Sequence, residues 1–251
     1  MVTVSDLDAS QVLYRLRTIV DAGRLTFRTI NFELLGGDDR ISVIGRDEAD
    51  LLVNIDGGNE GAVLPQSDHI TVVGSPNMDY LEVVPGATGD AGTLFVHRGP
   101  VPISTINFTN TEDVILDGGN GTGGDLLIVR GTGGSNAFSL QAFTSSGGVA
   151  QVDNGPTINF FNLDTDGVGG PNSGINLDGQ GGDDSFALTH AENWLVGVVA
   201  VFGGAPSGSD SVQISGTAAV DDVTYTANSA NSGQLVVTSG GSPTVYELID
   251  V

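Results

Sequence analysis

The residues best suited to chemistry lie at positions 178–187, where the sequence reads DGQGGDDSFA. Glycines permit tight turns with positive φ and expose carbonyl oxygens, and aspartates add carboxylates. Both kinds of oxygen are ligands that calcium prefers in proteins. The stretch predicts a calcium site formed by Asp178, Asp183 and Asp184 with a neighbouring repeat. The alternative is that Gly and Asp only turn the chain into a strand.

A hexapeptide and an aspartate recur along the chain in the same relation. The hexapeptides are FELLGG at 32, VNIDGG at 53, VILDGG at 114, INLDGQ at 175 and VAVFGG at 199. Each is followed, after a turn of variable length, by an aspartate and an alternating apolar pattern; the aspartates are Asp39, Asp68, Asp125, Asp184 and Asp210. Their shared role is predicted to be starting a strand. Asp39, Asp125 and Asp210 also stand in weaker copies of the calcium pattern and are further candidate ligands.

The spacing of the hexapeptides predicts the fold. Their starts lie 21, 61, 61 and 24 residues apart, close to one or three times a coil of about 20 residues. Short alternating runs separated by 38 glycines and many polar turn residues are typical of β-structure. We expect an all-β, right-handed parallel β-helix or β-solenoid in which stacked coils bury their inward rows. The alternative is a set of tandem antiparallel β-sandwich modules.

The N-terminal segment differs from the rest. Residues 5–23 place apolar side chains at helical spacing, which predicts a short capping helix within a cap segment, 1–28, before a repeat domain, 29–251. A strand pair is the alternative. The segment YRLRTIV followed by RTINF resembles the start of bacterial right-handed parallel β-helix proteins. The final TVYELIDV reads as the start of another repeat, which would fit an array cut short.

The glycine-aspartate pattern carries a second resemblance. Gly179, Gly182, Asp184 and Phe186 resemble haemolysin-type RTX repeats, which implies calcium binding and an extracellular or cell-surface location. Family repeats follow one another every nine residues, whereas the copies here are isolated, so a stacked calcium ladder is not expected. The whole chain resembles repeat regions of very large bacterial surface proteins.

Composition and charge limit the partners. The formal net charge is −23, from 31 acidic residues against 8 basic ones, and every basic residue is Arg. Nucleic-acid binding is not expected, because neutralising phosphates requires clustered Lys and Arg. Divalent cations are the natural partners of so acidic a chain. No apolar run approaches the ~20 residues of a membrane span, so no membrane insertion is expected.

One segment breaks the repeat. THAENW, at 189–194, stands where four other copies carry a glycine, and its His190, Glu192 and Trp194 form a candidate contact for a ligand or a carbohydrate. The alternative is a local insertion. We expect no enzymatic activity, because no set of catalytic residues converges in the sequence.

These patterns predict a structural or adhesive module of a secreted or cell-surface bacterial protein, stiffened by calcium. The expected partners are other copies, through the terminal coils, or a surface polysaccharide. A carbohydrate-active enzyme or polysaccharide-binding module on the same fold is the alternative, and an exposed Trp194 would favour it.

Overall fold

The computed structural model describes residues 2–5, 29–34, 38–44, 51–58, 68–74, 80–98, 101–119, 124–163, 174–194, 196–205 and 209–251. These residues form twenty strands and contain no helix. The expectation of an all-β chain is therefore confirmed. The capping helix expected over 5–23 and the boundary at 28 fall mostly outside the described residues.

The strands belong to two sheets, which we call the long sheet and the short sheet. The long sheet contains Val2–Ser5 (β1), Thr29–Glu33 (β2), Leu51–Asp56 (β4), Tyr80–Pro85 (β6), Gly92–Arg98 (β7), Val101–Thr109 (β8), Leu126–Arg130 (β10), Gly174–Asp178 (β14), Val198–Phe202 (β16), Asp221–Ala227 (β18), Gly233–Ser239 (β19) and Ser242–Ile249 (β20). The short sheet contains Arg40–Ile44 (β3), His69–Val73 (β5), Asp113–Asp117 (β9), Ala137–Thr144 (β11), Gly147–Val152 (β12), Thr157–Phe161 (β13), Ser185–Thr189 (β15) and Ser211–Ser215 (β17).

Most neighbouring strands are parallel because the chain passes back and forth between the sheets. The parallel runs are β1–β2–β4–β8 and β10–β14–β16–β20 with β6 beside β10 in the long sheet, and β3–β5–β9–β13 and β11–β15–β17 in the short sheet. A parallel partner in the same sheet requires such a crossover connection. This arrangement is compatible with a β-solenoid.

Both sheets contribute to one hydrophobic core. In β15, Phe186 and Leu188 are buried while the residues between them are exposed, as the two-residue period of a strand requires. In the long sheet Ile175 and Leu177 of β14 belong to the same cluster of buried residues. Equivalent side chains stack from strand to strand: the rings of Phe138 and Phe186 lie 4.7 Å apart.

Three antiparallel meanders interrupt the parallel runs. They are β6–β7–β8, β11–β12–β13 and β18–β19–β20. In the first two, the last strand joins the parallel strand that preceded the meander, and the first strand pairs with the one that follows. The spacings of 61 residues therefore contain a meander rather than three regular coils, which corrects that reading of the sequence. The antiparallel pairs that the β-sandwich alternative predicted do occur, but they lie within the same two sheets as the parallel strands.

In the four hexapeptides whose glycines the structure describes, the first glycine after the strand lies at a tightly packed corner. A Cβ atom on Gly179 would lie 2.2 Å from Oδ2 of Asp184 and 2.8 Å from the carbonyl oxygen of Gly203. Gly57, Gly118 and Gly203 are confined in the same way, each by an aspartate Oδ2 and a backbone oxygen. The hexapeptide glycine and the following aspartate therefore form one structural unit.

Replacing Gly179 with alanine should destabilise the fold by about 1–3 kcal/mol, the usual cost of forcing an extra methyl group into a packed site. The matched control is Gly133→Ala, because a Cβ there would meet nothing within 4 Å. Chemical denaturation of both variants measures the difference. Equal stability of the two variants would show that the corner is not packed as described.

Candidate functional site

The repeated acidic residues form a ladder along the start of the short-sheet strands. Each side chain accepts a hydrogen bond from the backbone N–H of the equivalent residue one strand away. The pairs are Asp39 N–H to Asp68 Oδ1 (2.8 Å), Asp68 N–H to Glu112 Oε2 (2.8 Å), Asn136 N–H to Asp184 Oδ1 (2.8 Å) and Asp184 N–H to Asp210 Oδ1 (2.7 Å). We call this set the carboxylate ladder.

Backbone hydrogen bonds run beside the ladder in the opposite sense. The carbonyl of Asp39 accepts from the N–H of His69 at 2.9 Å, and the carbonyl of Asp184 accepts from the N–H of Ser211 at 2.9 Å. Asp39 and Asp184, each of which directly precedes a short-sheet strand, are thus tied to the neighbouring strand through both their N–H and their C=O groups. The aspartates start the strands, and they also set the register between them.

Two of the ladder carboxylates are buried. The whole residues Asp68 and Asp184 are 1–2% exposed, whereas Glu112 and Asp210 are partly exposed. Oδ2 of Asp184 has no hydrogen-bond partner in the described part of the chain and points at Gly179. Burial raises the pKa of Asp184, the nearby Asp210 adds to that effect, and the hydrogen bond from Asn136 opposes it.

The three carboxylates of the predicted calcium site have separate protein partners. Asp178 accepts from the guanidinium of Arg130 at 2.6 Å, Asp183 accepts from the hydroxyl of Ser209 at 2.6 Å, and Asp184 belongs to the ladder. Among the residues that the structure describes, no group of three or more His, Cys, Asp or Glu side chains could hold a metal. Calcium binding at these three residues stays a prediction from the sequence.

The weaker candidate ligands occupy separate places. Asp39 and Asp210 lie at different positions of the ladder, at the starts of β3 and β17. Asp125 lies at the start of β10 in the long sheet, where its carbonyl accepts from the N–H of Gly174 at 2.8 Å. All three begin strands, as the repeat predicted.

A network of ionisable side chains crosses four strands of the long sheet. Arg130 pairs with Glu82 on one side and with Asp178 on the other, and Nε2 of His97 lies 3.0 Å from a carboxylate oxygen of Glu82. The network links β7, β6, β10 and β14. The guanidinium of Arg130 lies between two carboxylates on neighbouring strands, so the network ties the strands together.

The segment that breaks the repeat closes the core. His190 is 3% exposed, and its Nδ1 lies 2.9 Å from the hydroxyl oxygen of Tyr246 in β20. Trp194 is 1% exposed, with its ring edge-on to His190 at 6.2 Å, and its carbonyl accepts from the hydroxyl of Thr244. Of the three candidate contacts, His190 and Trp194 are therefore buried and only Glu192 is exposed, and a ligand contact at this segment stays a prediction.

Sequence reasoning missed a second ladder, made of asparagines. The Asn54 amide donates to Oδ1 of Asn31 at 2.8 Å, and the Asn107 amide donates to Oδ1 of Asn54 at 2.9 Å. The hydroxyl of Thr93 completes the row, donating to Asn107 at 3.0 Å. A signal was present, because TINF at 29 and at 105 and VNID at 53 each carry an asparagine in the strand.

Comparison with known proteins identifies no relative. No family model matches the chain, and neither the curated proteins nor the solved structures include a significant match. Within the described residues, no helix has the length and apolar character needed to cross a membrane.

Replacing Asp184 with alanine should cost about 1–3 kcal/mol of unfolding free energy, because the buried N–H of Asn136 loses its acceptor. Asp183→Ala is the neighbouring control. Because the side chain of Asp183 is exposed, its removal should change the free energy of unfolding by no more than about 0.5 kcal/mol. Urea unfolding of both variants gives the comparison, and an Asp184 variant as stable as the control would contradict a structural ladder.

His190 should make stability depend on pH. Burial lowers its pKa, and this outweighs the nearby Asp221, which favours the protonated form; Tyr246 and Trp194 pack against the ring. His190 therefore binds a proton more readily in the unfolded chain than in the folded chain. The free energy of unfolding falls as the pH drops below about 6.5, the pKa of histidine in the unfolded chain. Between pH 7.5 and 5.5, the melting temperature of the wild type should fall by more than that of His190→Gln.

His69→Gln is the control for that measurement, because it keeps His190 and should keep its contribution to the pH response. His69 lies 3.3 Å from Asp113 and is partly exposed. An identical pH response in the wild type and in His190→Gln would contradict the buried neutral histidine.

Proposed function

We propose that this chain is a structural or adhesive module of a secreted or cell-surface protein, folded as a right-handed parallel β-solenoid that serves as a stiff spacer. The observation that carries the proposal is the carboxylate ladder. It places acidic side chains at the starts of short-sheet strands, where each accepts a hydrogen bond from the backbone N–H of the neighbouring strand, and two of these side chains, Asp68 and Asp184, are buried.

Stiffness is supported by three parallel sets of bonds. Neighbouring strands are joined by the backbone hydrogen bonds of both sheets, by the carboxylate ladder, and by the asparagine ladder of Asn31, Asn54 and Asn107. Bending the stack would strain all three at once. Charge-assisted hydrogen bonds of the carboxylate kind are stronger than neutral ones.

The dimensions suit a spacer. Twelve strands of the long sheet at about 4.8 Å per strand span roughly 55 Å, whereas strands of five residues are only about 17 Å long. The net charge of −23 keeps the surface soluble and discourages collapse onto other acidic surfaces. The extracellular location rests on the resemblance to surface-protein repeats.

Distance measurement tests the stiff spacer directly. The chain has no cysteine, so spin labels can be placed through Ser42→Cys in β3 and Thr224→Cys in β18, at opposite ends of the stack and both exposed. Diluted with unlabelled protein, the doubly labelled chain should give one narrow distance distribution near about 50 Å. It should not change between low and high salt. A broad distribution that shortens with salt would indicate a flexible chain and overturn the proposal.

Calcium stiffening is the second part of the proposal. Extracellular modules bind calcium at about 10⁻⁴–10⁻³ M, so millimolar calcium should raise the melting temperature and a chelator should lower it. Asp178→Asn with Asp183→Asn should abolish that shift, and Asp222→Asn, an exposed aspartate in β18, should retain it. If calcium does not shift the melting temperature of the wild type, the calcium part of the proposal is wrong and the stiff spacer is unaffected.

The carbohydrate alternative has lost its main support, because Trp194 is not available as a surface platform. Turnover of an acidic polysaccharide by the purified chain would restore that alternative.

A further inference from the structure

The long sheet extends beyond the short sheet at one end of the stack. The long sheet ends in the order β16–β20–β19–β18, whereas the short sheet ends at β17, the strand that follows β16 in the chain. Within the described residues, three strands of the long sheet therefore have no short-sheet strand opposite them. We call β18, β19 and β20 the overhang.

The inward face of the overhang is apolar and incompletely covered. Register places Tyr246 beside the buried Val199, then Leu235 beside Tyr246, and then Tyr225 beside Leu235. His190 and Trp194 cover Tyr246, which is fully buried. The cover stops there: Tyr225 is 57% exposed, and Val223 on the same face is 55% exposed.

The chain itself shows what covers such a meander. The inward residues of β6–β8 are almost completely buried, including Leu81, Leu94 and Ile106 at 0% exposure. Strands of the short sheet lie opposite, since Val83 of β6 lines one small cavity together with Val152 of β12 and Ile158 of β13. A partner for the overhang must likewise supply about three strands with apolar inward rows.

The N-terminal end of a second copy cannot supply the three strands that would cover the overhang. There too the long sheet extends further, because β1 lies outside β2 while the short sheet ends at β3, the strand that follows β2. Placing β3 of a second copy beside β17 would drive its β2 into the overhang. Among the described strands, head-to-tail stacking is therefore sterically blocked.

The C-terminal ends of two copies are complementary to each other. The overhang is three strands wide. The space opposite it, beside β17 in the short sheet, is a gap of the same width. We propose that a second copy of this chain, related by a two-fold axis parallel to the strands, places its overhang in this gap and receives the first copy's overhang in its own. This rests on the proposed solenoid, in which the two sheets run in opposite directions. Each β18 then pairs antiparallel with β17 of the other copy.

This pairing closes two exposed edges and one apolar face in each copy. Val212 and Ile214 of β17, which are only partly buried, continue the apolar row of Val223 and Tyr225. An isologous contact of this kind closes after two copies. Each copy carries a charge of −23, while the apolar row itself is uncharged, so salt should strengthen the dimer by screening repulsion.

Sedimentation equilibrium tests the dimer. The wild type should be in monomer–dimer equilibrium, with dissociation constants that fall as sodium chloride rises. Val223→Arg with Tyr225→Arg should be monomeric at every concentration and should fold normally, since both side chains are exposed. The matched control is Phe143→Arg in β11, an equally exposed aromatic at 58%, which should dimerise like the wild type. A monomeric wild type, or oligomers that keep growing beyond two copies, would overturn the proposal.

Cysteine crosslinking tests the geometry. Gln213 and Thr224 are the exposed central residues of β17 and β18. A mixture of Gln213→Cys and Thr224→Cys chains should form the mixed disulfide dimer under mild oxidation, while Thr224→Cys alone should not. Self-crosslinking of Thr224→Cys would mean that β18 pairs with β18, and would overturn the arrangement. If the wild type is monomeric and still gives the narrow spin-label distance distribution, the dimer proposal is wrong and the spacer proposal stands.

Discussion

The short sheet depends on one repeated hydrogen bond, from the backbone N–H of the residue that precedes a strand to the side-chain oxygen of the equivalent residue one strand away. Where a chain turns into a parallel strand, that N–H would otherwise be buried at the corner without an acceptor. Asp184 meets this requirement for Asn136, and Asp210 meets it for Asp184. Burying a carboxylate is costly, and charge-assisted bonding to the backbone offsets the cost. Register, and therefore the alignment of the apolar rows, follows from these bonds.

The same bond explains the glycines. A carboxylate that reaches its neighbour with Oδ1 directs Oδ2 towards the preceding corner, and at Gly179 only a hydrogen atom fits there. Glycine and aspartate therefore occur together for packing reasons. They are also the residue types of a calcium loop. Here Arg130 donates to Asp178 and Ser209 donates to Asp183.

Local patterns made part of this predictable. Alternation and the repeated aspartates lie within a few residues of one another, so the all-β class and the strand starts after Asp39 and Asp184 could be read directly. The meanders could not, because a strand's period is the same whether its neighbour is parallel or antiparallel, and the neighbour is distant in sequence. The burial of Trp194 was also hidden, because Trp194 contacts Thr244 in β20, which is 50 residues away in the sequence. The asparagine ladder needed the register between β2, β4 and β8.

The central claim is that the ladder holds the strands together, and amide hydrogen exchange tests it most directly. The N–H groups of Asp39, Asp68, Asn136 and Asp184 should exchange only through global unfolding, with the same free energy as denaturant-induced unfolding. The amide of Gly133, an exposed residue in the bend before Asn136, should exchange rapidly in the same experiment. Fast exchange at the four ladder positions in the folded protein would contradict the account.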